Sequence, residues 1–187
     1  MIDEPTFSAL NAVYLKKMAT AAQVAELTEA NVATVEGVLA QATAQGWLME
    51  AEGKFMLLPE GTKAVLDGYG ARYREQRADE RVEAWYRRFE TLNAQFIQQV
   101  SEWQGGGDER AQGRLMRSVE RLVKSLDELV PSIPRYADYI RRFEHGLGLI
   151  DRGQLDYIAK PTLDSVHNVW FEFHEDILSV LGRPRDA

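Results

Sequence analysis

Apolar residues recur at helical spacing along nearly the whole chain, and the pattern is interrupted once by strand-like runs. Phe7, Leu10, Val13, Tyr14 and Met18 mark one face of a first helix. Thr20 is a good N-cap for a second helix over 21–28, and Asn31 is one for a third. The third helix carries Val35, Val38, Leu39 and Ala42 on one face and ends near Gly46, a natural position just past a helix. Two short apolar runs follow, Trp47–Met49 and Phe55–Leu58, around a polar turn from Glu50 to Lys54. Turn chemistry between apolar runs predicts a β-hairpin, and Gly53 in the turn takes positive φ without steric cost. Pro59-Glu60-Gly61-Thr62 then opens a fourth helix that continues to about Arg77.

The remainder reads as helix throughout. Val82, Trp85, Tyr86, Phe89, Leu92, Phe96, Val100 and Trp103 keep one long stripe, broken by Gln104 to Gly107, with Asp108 as the next N-cap. Leu115, Val119, Leu122, Val123, Leu126 and Val130 form the next stripe, and Pro131 to Pro134 turns the chain. Tyr136, Tyr139, Ile140, Phe143, Leu147 and Ile150 form a third. A loop is expected from Asp151 to Lys160, with Pro161 in the first turn of a last helix. That helix carries Leu163, Val166, Trp170, Phe173, Ile177 and Leu181 and stops at Gly182. The mixed-sign stretch Arg72 to Arg81 reads as a solvated helical connection. Four amphipathic helices with short turns imply an antiparallel bundle.

Helix, helix, helix, hairpin, helix is the order of a winged helix-turn-helix. The chain up to about residue 75 resembles the winged helix-turn-helix domains of MarR-type and related bacterial transcriptional regulators. The resemblance rests on Gln45-Gly46-Trp47-Leu48, which closes the third helix into a strand, and on Phe55-Met56-Leu57-Leu58-Pro59-Glu60-Gly61. The second segment is similar to the family's junction of strand, Thr-Pro-Glu-Gly and helix, with Leu58 where Thr is usual. The expected fold class is therefore mainly α: a winged helix-turn-helix domain with a small β-hairpin over residues 1–78, and a C-terminal antiparallel α-helical bundle over 79–187. The resemblance implies that the third helix enters the major groove and that the hairpin approaches the backbone or minor groove. On that helix Asn31, Thr34, Glu36, Gln41, Thr43 and Gln45 would face the bases, with Lys54 and Lys63 toward phosphates. Asn31, Thr34, Gln41, Lys54 and Lys63 are the DNA-binding candidates.

Charge complicates that expectation. The 187 residues carry a formal net charge of -7. An acidic chain binds nucleic acid only through a local basic patch. Residues 1–75 hold six cations against ten carboxylates, and no Lys or Arg lies from Met18 to Gly53. Affinity for nucleic acid comes mostly from cations at phosphates. The other bulk properties are ordinary for a globular protein of one domain or two small ones, 45% hydrophobic and 27% charged. The chain has no cysteine, no long apolar run and no signal-peptide pattern at its start, so a cytoplasmic location without membrane association is expected.

Candidate chemistry in the second half centres on the last helix. His167 and His174 border its apolar stripe on one edge. They lie seven residues apart, about 10 Å along the axis, too far to share one metal. Asp164 and His167, three apart, are spaced to share a metal or a hydrogen bond; two half-buried histidines bonded to neighbouring groups is the plainer alternative. Arg141 and Arg142 flank the third stripe, where one could bind an anion inside the bundle or both could pair with Asp138 and Glu144 at the surface. His145 points away from that stripe. Trp170 and Phe171 are adjacent and cannot both face one core, so one should face a partner, a second copy or a pocket. Arg141, Asp164, His167, Trp170 and His174 are the ligand-pocket candidates. No phosphate loop, His-Glu-x-x-His or Gly-x-Ser-x-Gly motif is present, so no catalytic residue, metal or cofactor is assigned.

Three functions are compatible with these features. The first is a dimeric transcriptional regulator that binds DNA and responds to a small-molecule effector through its bundle. The second is an accessory subunit that uses the winged helix to dock on a protein partner. The third is an enzyme or binding protein built around Asp164, His167, His174 and a nearby Arg.

Overall fold

The computed structural model describes residues 2–184. Among them the chain is mainly helical, with ten helices and one two-stranded antiparallel hairpin. The early helices begin where side chains cap them. In α1 (Glu4–Lys16) Asp3 accepts a hydrogen bond from the Thr6 amide at 2.9 Å. In α2 (Ala21–Thr28) Thr20 and Gln23 form a reciprocal capping box. In α3 (Val32–Ala44) the Asn31 side chain accepts from the Ala33 amide at 2.9 Å.

Strands β1 (Leu48–Ala51) and β2 (Lys54–Leu57) pair in the register Leu48 to Leu57 and Ala51 to Lys54. The turn is therefore two residues, Glu52 and Gly53, shorter than the expected Glu50 to Lys54. Their φ values of 53° and 73° are those of a primed turn, whose twist matches the strands. Ala19 adds a bridge to Phe55, with reciprocal amide bonds of 3.1 and 2.8 Å. Helix α4 (Pro59–Arg72) starts against this hairpin. A Cβ on Gly61 would stand 2.2 Å from the Trp47 carbonyl oxygen and 2.8 Å from Leu57, so only glycine fits there. The helix expected to reach Arg77 stops at Arg72, and α5 (Arg74–Ala78), with no buried residue, continues the connection.

Helices α6 (Glu80–Gln104), α7 (Glu109–Leu126) and α8 (Tyr136–Asp151) follow, the first two capped by Asp79 and Asp108. The expected loop from Asp151 holds a short helix, α9 (Asp156–Ala159), and the last helix, α10 (Val166–Leu181), starts five residues later than Pro161 suggests. Asn168 explains the late start. Its Nδ2 lies within 2.7–3.3 Å of the Lys160, Pro161 and Leu163 carbonyls and holds those residues in turns instead.

The chain divides into two compact units, Met1–Glu75 with Glu175–Ala187, and Gln76–His174. The first has an aliphatic core with Leu10, Val13, Val24, Val35, Leu39, Leu48 and Val65. Buried within it, Tyr69 donates to Asn11 at 2.7 Å. Tyr14 donates to Glu175 at 2.7 Å, and partial burial pushes its hydroxyl up to about 12. The second unit is built on rings. Phe89 lies 5.3–5.8 Å from Trp170, Phe173 and His174, and Phe96 stacks on Trp170 at 3.8 Å.

Candidate functional site

Helix α3 turns Val35, Leu39 and Ala42 inward. Ala33, Gly37, Ala40 and Ala44 are all exposed, and at 100° per residue they cluster within about 60° on the opposite side. No side chain longer than a methyl stands on that arc. Thr34 and Gln41 lie along one edge of it, exposed, and Glu36 along the other. Asn31, read as a candidate for bases, has its side-chain oxygen engaged as the helix cap. Lys54 is exposed at the start of β2. Lys63 is tied to Asp67 at 2.6 Å, a bond that raises the ammonium's pKa. Thr34, Gln41 and Lys54 are therefore the candidates of this region that stand exposed and do not cap or close an element.

The hairpin beside α3 has an apolar outer face. Met49 pairs with Met56, and the Ala19–Phe55 bridge sets Met18 at the position antiparallel to Met56. Alternation along strands puts these three on the face opposite Leu48, Phe55 and the buried Ala19. Met18 and Met49 are 43% and 41% exposed, as is Val32 at 43% at the start of α3. Six carboxylates, Glu26, Glu29, Glu36, Glu50, Glu52 and Glu60, share this region with one cation, Lys54, over residues 18–62.

In the second unit the expected pocket residues separate into two groups. Arg141 pairs with Asp138 at the surface. Arg142 is the arginine that turns inward, giving Asp164 two hydrogen bonds of 2.9 and 2.7 Å and the buried Glu172 one of 2.6 Å. Burial works against the Arg142 charge, but the bond to Asp164 and the field of both carboxylates hold its pKa above the ordinary value. Asp164 is thus engaged by an arginine. His167, Trp170 and His174 instead line one side of the ring cluster: Phe96 faces His167 and Trp170, and Phe89 faces Trp170 and His174. Trp170 also donates through its indole to Asn93 at 2.9 Å. Burial pushes the His167 pKa down. Phe171 is 41% exposed while Trp170 is 2%, which resolves the adjacent pair in favour of Phe171 outward. Among the described residues no group of three His, Asp or Glu side chains is placed to hold a metal ion.

Two features escaped the sequence reading. The Arg142–Glu172 pair joins residues thirty apart and has no local signature. The other was legible. Arg110, Arg114, Arg117, Arg121 and Lys124 follow a four-three repeat along α7, and all five are exposed. Arg114 pairs with Glu102 at 2.8 Å. This is the basic patch that the acidic first unit lacks. Among the described residues no helix is long and apolar enough to cross a membrane. Comparisons with protein families, with curated proteins and with solved structures returned no match, so what this chain does rests on its own residues.

Proposed function

We propose that the first unit is a winged helix used for protein docking, joined to a helical bundle, and that the chain is an accessory subunit of a larger assembly. The order α1, α2, α3, β1, β2, α4 and the Ala19–Phe55 bridge support the winged-helix assignment. Contacts of α7 with both α6 and α8 support the bundle. One observation carries the docking role: the outward face of α3 is Ala33, Gly37, Ala40 and Ala44, with no cation from Met18 to Gly53. A helix that reads DNA needs long donors at base edges and cations at phosphates. A bare face instead lets another backbone come close. The methionines beside it supply adaptable apolar contact.

The test is a photo-reactive phenylalanine analogue in place of Ala40, irradiated in producing cells. A single discrete protein adduct, lost when Gly37→Arg is added, is expected. Adducts to DNA, or no adduct, overturn the reading.

A second reading, a dimeric transcriptional regulator, is favoured by the exposed Thr34 and Gln41 along one edge of α3 and by Lys54 on the hairpin. Two copies would then pair through the bundle, where Ile97 and Phe171 are exposed, and an effector would bind near His167, Trp170 and His174. In that case Thr34→Ala with Gln41→Ala weakens binding to one duplex sequence and spares others.

A further inference from the structure

We infer that α7 is a nucleic-acid backbone contact, separate from the α3 face and independent of what α3 binds. Arg110, Arg114, Arg117, Arg121 and Lys124 fall within about 80° of one another round the helix axis. Lys124 lies fourteen residues on from Arg110, about 21 Å along the axis, which places one cation every 5 Å or so. That length covers about six phosphates of one duplex strand at 3.4 Å each along the axis. The opposite side of the helix is anchored by Ala111, Leu115, Val119, Leu122 and Leu126, all buried, so the line of charge is held on a rigid support. Arg114 is braced by Glu102. The structure gives the other four no ion-pair partner among the described residues.

Residue type selects the partner. Four of the five are arginines, whose planar fork matches phosphate oxygens two at a time. No large apolar side chain is exposed on α7. Hot spots of protein interfaces set arginine beside buried aromatic anchors, and α7 presents its arginines alone, so the stripe fits a polyanion better than an acidic protein. Nothing beside the stripe is suited to read bases: Glu109 and Glu120, about 80–100° round from Arg110, would repel phosphate and confine contact to the one line. The contact is therefore independent of sequence.

The experiment titrates the full chain with fluorescent duplexes of two unrelated sequences at several salt concentrations. Equal affinity for both is expected, with a log–log salt slope of about -4 to -5 for five phosphate contacts. The combined variant Arg110→Gln, Arg117→Gln, Arg121→Gln, Lys124→Gln should lose about a hundredfold at low salt, since it removes four of those contacts. Each substituted side chain is exposed, and an unchanged circular dichroism spectrum verifies that the fold survives. Absence of duplex binding at low salt overturns the inference, as does binding that the four-residue variant retains. Equal or tighter binding of polyglutamate transfers the stripe to an acidic protein, and binding only to phosphatidylserine vesicles transfers it to a membrane surface; either overturns it too.

Discussion

Helices α3 and α7 each turn one face to solvent, and the two faces are chemical opposites. That of α3 is backbone and methyl groups in an acidic surround; that of α7 is a row of guanidinium groups. In the winged helix proposed above α3 is the helix that would enter a groove, yet the charge a groove requires sits on α7. Fold order proposes where a partner binds, and the outward side chains decide what that partner is. The interiors differ in the same way. The first unit is packed mostly with aliphatic groups around the ring pair Phe7 and Tyr69, while the second holds a larger cluster of rings and Arg142 between Asp164 and Glu172.

The contrast between interiors is tested most severely at Arg142. Arg142→Ala leaves the buried Glu172 without its bond from Arg142 and should cost about 3–5 kcal/mol, read by urea unfolding. Lys63→Ala in the first unit, which breaks an exposed pair, should change stability by less than about 0.5 kcal/mol. Similar costs at the two sites would erase the distinction.

Two glycines of the first unit sharpen it next, with opposite signs. Gly61→Ala drives a methyl into the Trp47 carbonyl and should lose about 1–3 kcal/mol. A Cβ on Gly37 meets nothing within 4 Å. Gly37→Ala should therefore gain about 0.5–1 kcal/mol in thermal unfolding, the usual difference between the two residues within a helix. A loss there would mean that the α3 face is already occupied within the folded chain.

The smallest effect is a pH slope belonging to the second unit. Burial lowers the His167 pKa below the ordinary histidine value of about 6.5, so the folded state favours the neutral ring. Stability from this group is complete above about pH 6.5, where the unfolded chain is also neutral. It falls as pH drops below that value and goes on falling until the lower folded pKa is passed. Between neutral and mildly acidic pH the melting temperature of the wild type should fall by more than that of His167→Phe. Parallel curves would remove His167 from the account.

How far the sequence carried depends on how local each signal is. The caps at Thr20, Asn31 and Asp108 and the stop at Gly182 were legible because each is decided within three or four residues. The turn at Glu52 and Gly53 was placed but made too long, since polar Glu50 and small Ala51 do not look like strand until Phe55 and Lys54 are seen opposite them. The start of α10 was misread because Pro161 fits a first turn, and the carbonyls that Asn168 holds are known only once the chain has folded back on it. Among the site residues, His167 and Trp170 were found from helical spacing. Arg142 could not be told from Arg141, because one residue's rotation decides which meets Asp164. The α7 stripe is legible in the four-three spacing of Arg110, Arg114, Arg117, Arg121 and Lys124, on the side of the helix opposite its apolar residues.

Asn168 has a kinetic consequence. It stands inside α10 and holds carbonyls that precede the helix. Those bonds can form only after the first turn of α10 exists, so the segment from Lys160 to Asp164 takes its shape after the helix and loses it with the helix. Amide exchange and protease cutting across that segment should then report the opening of α10's first turn, and not the independent motion of a surface loop.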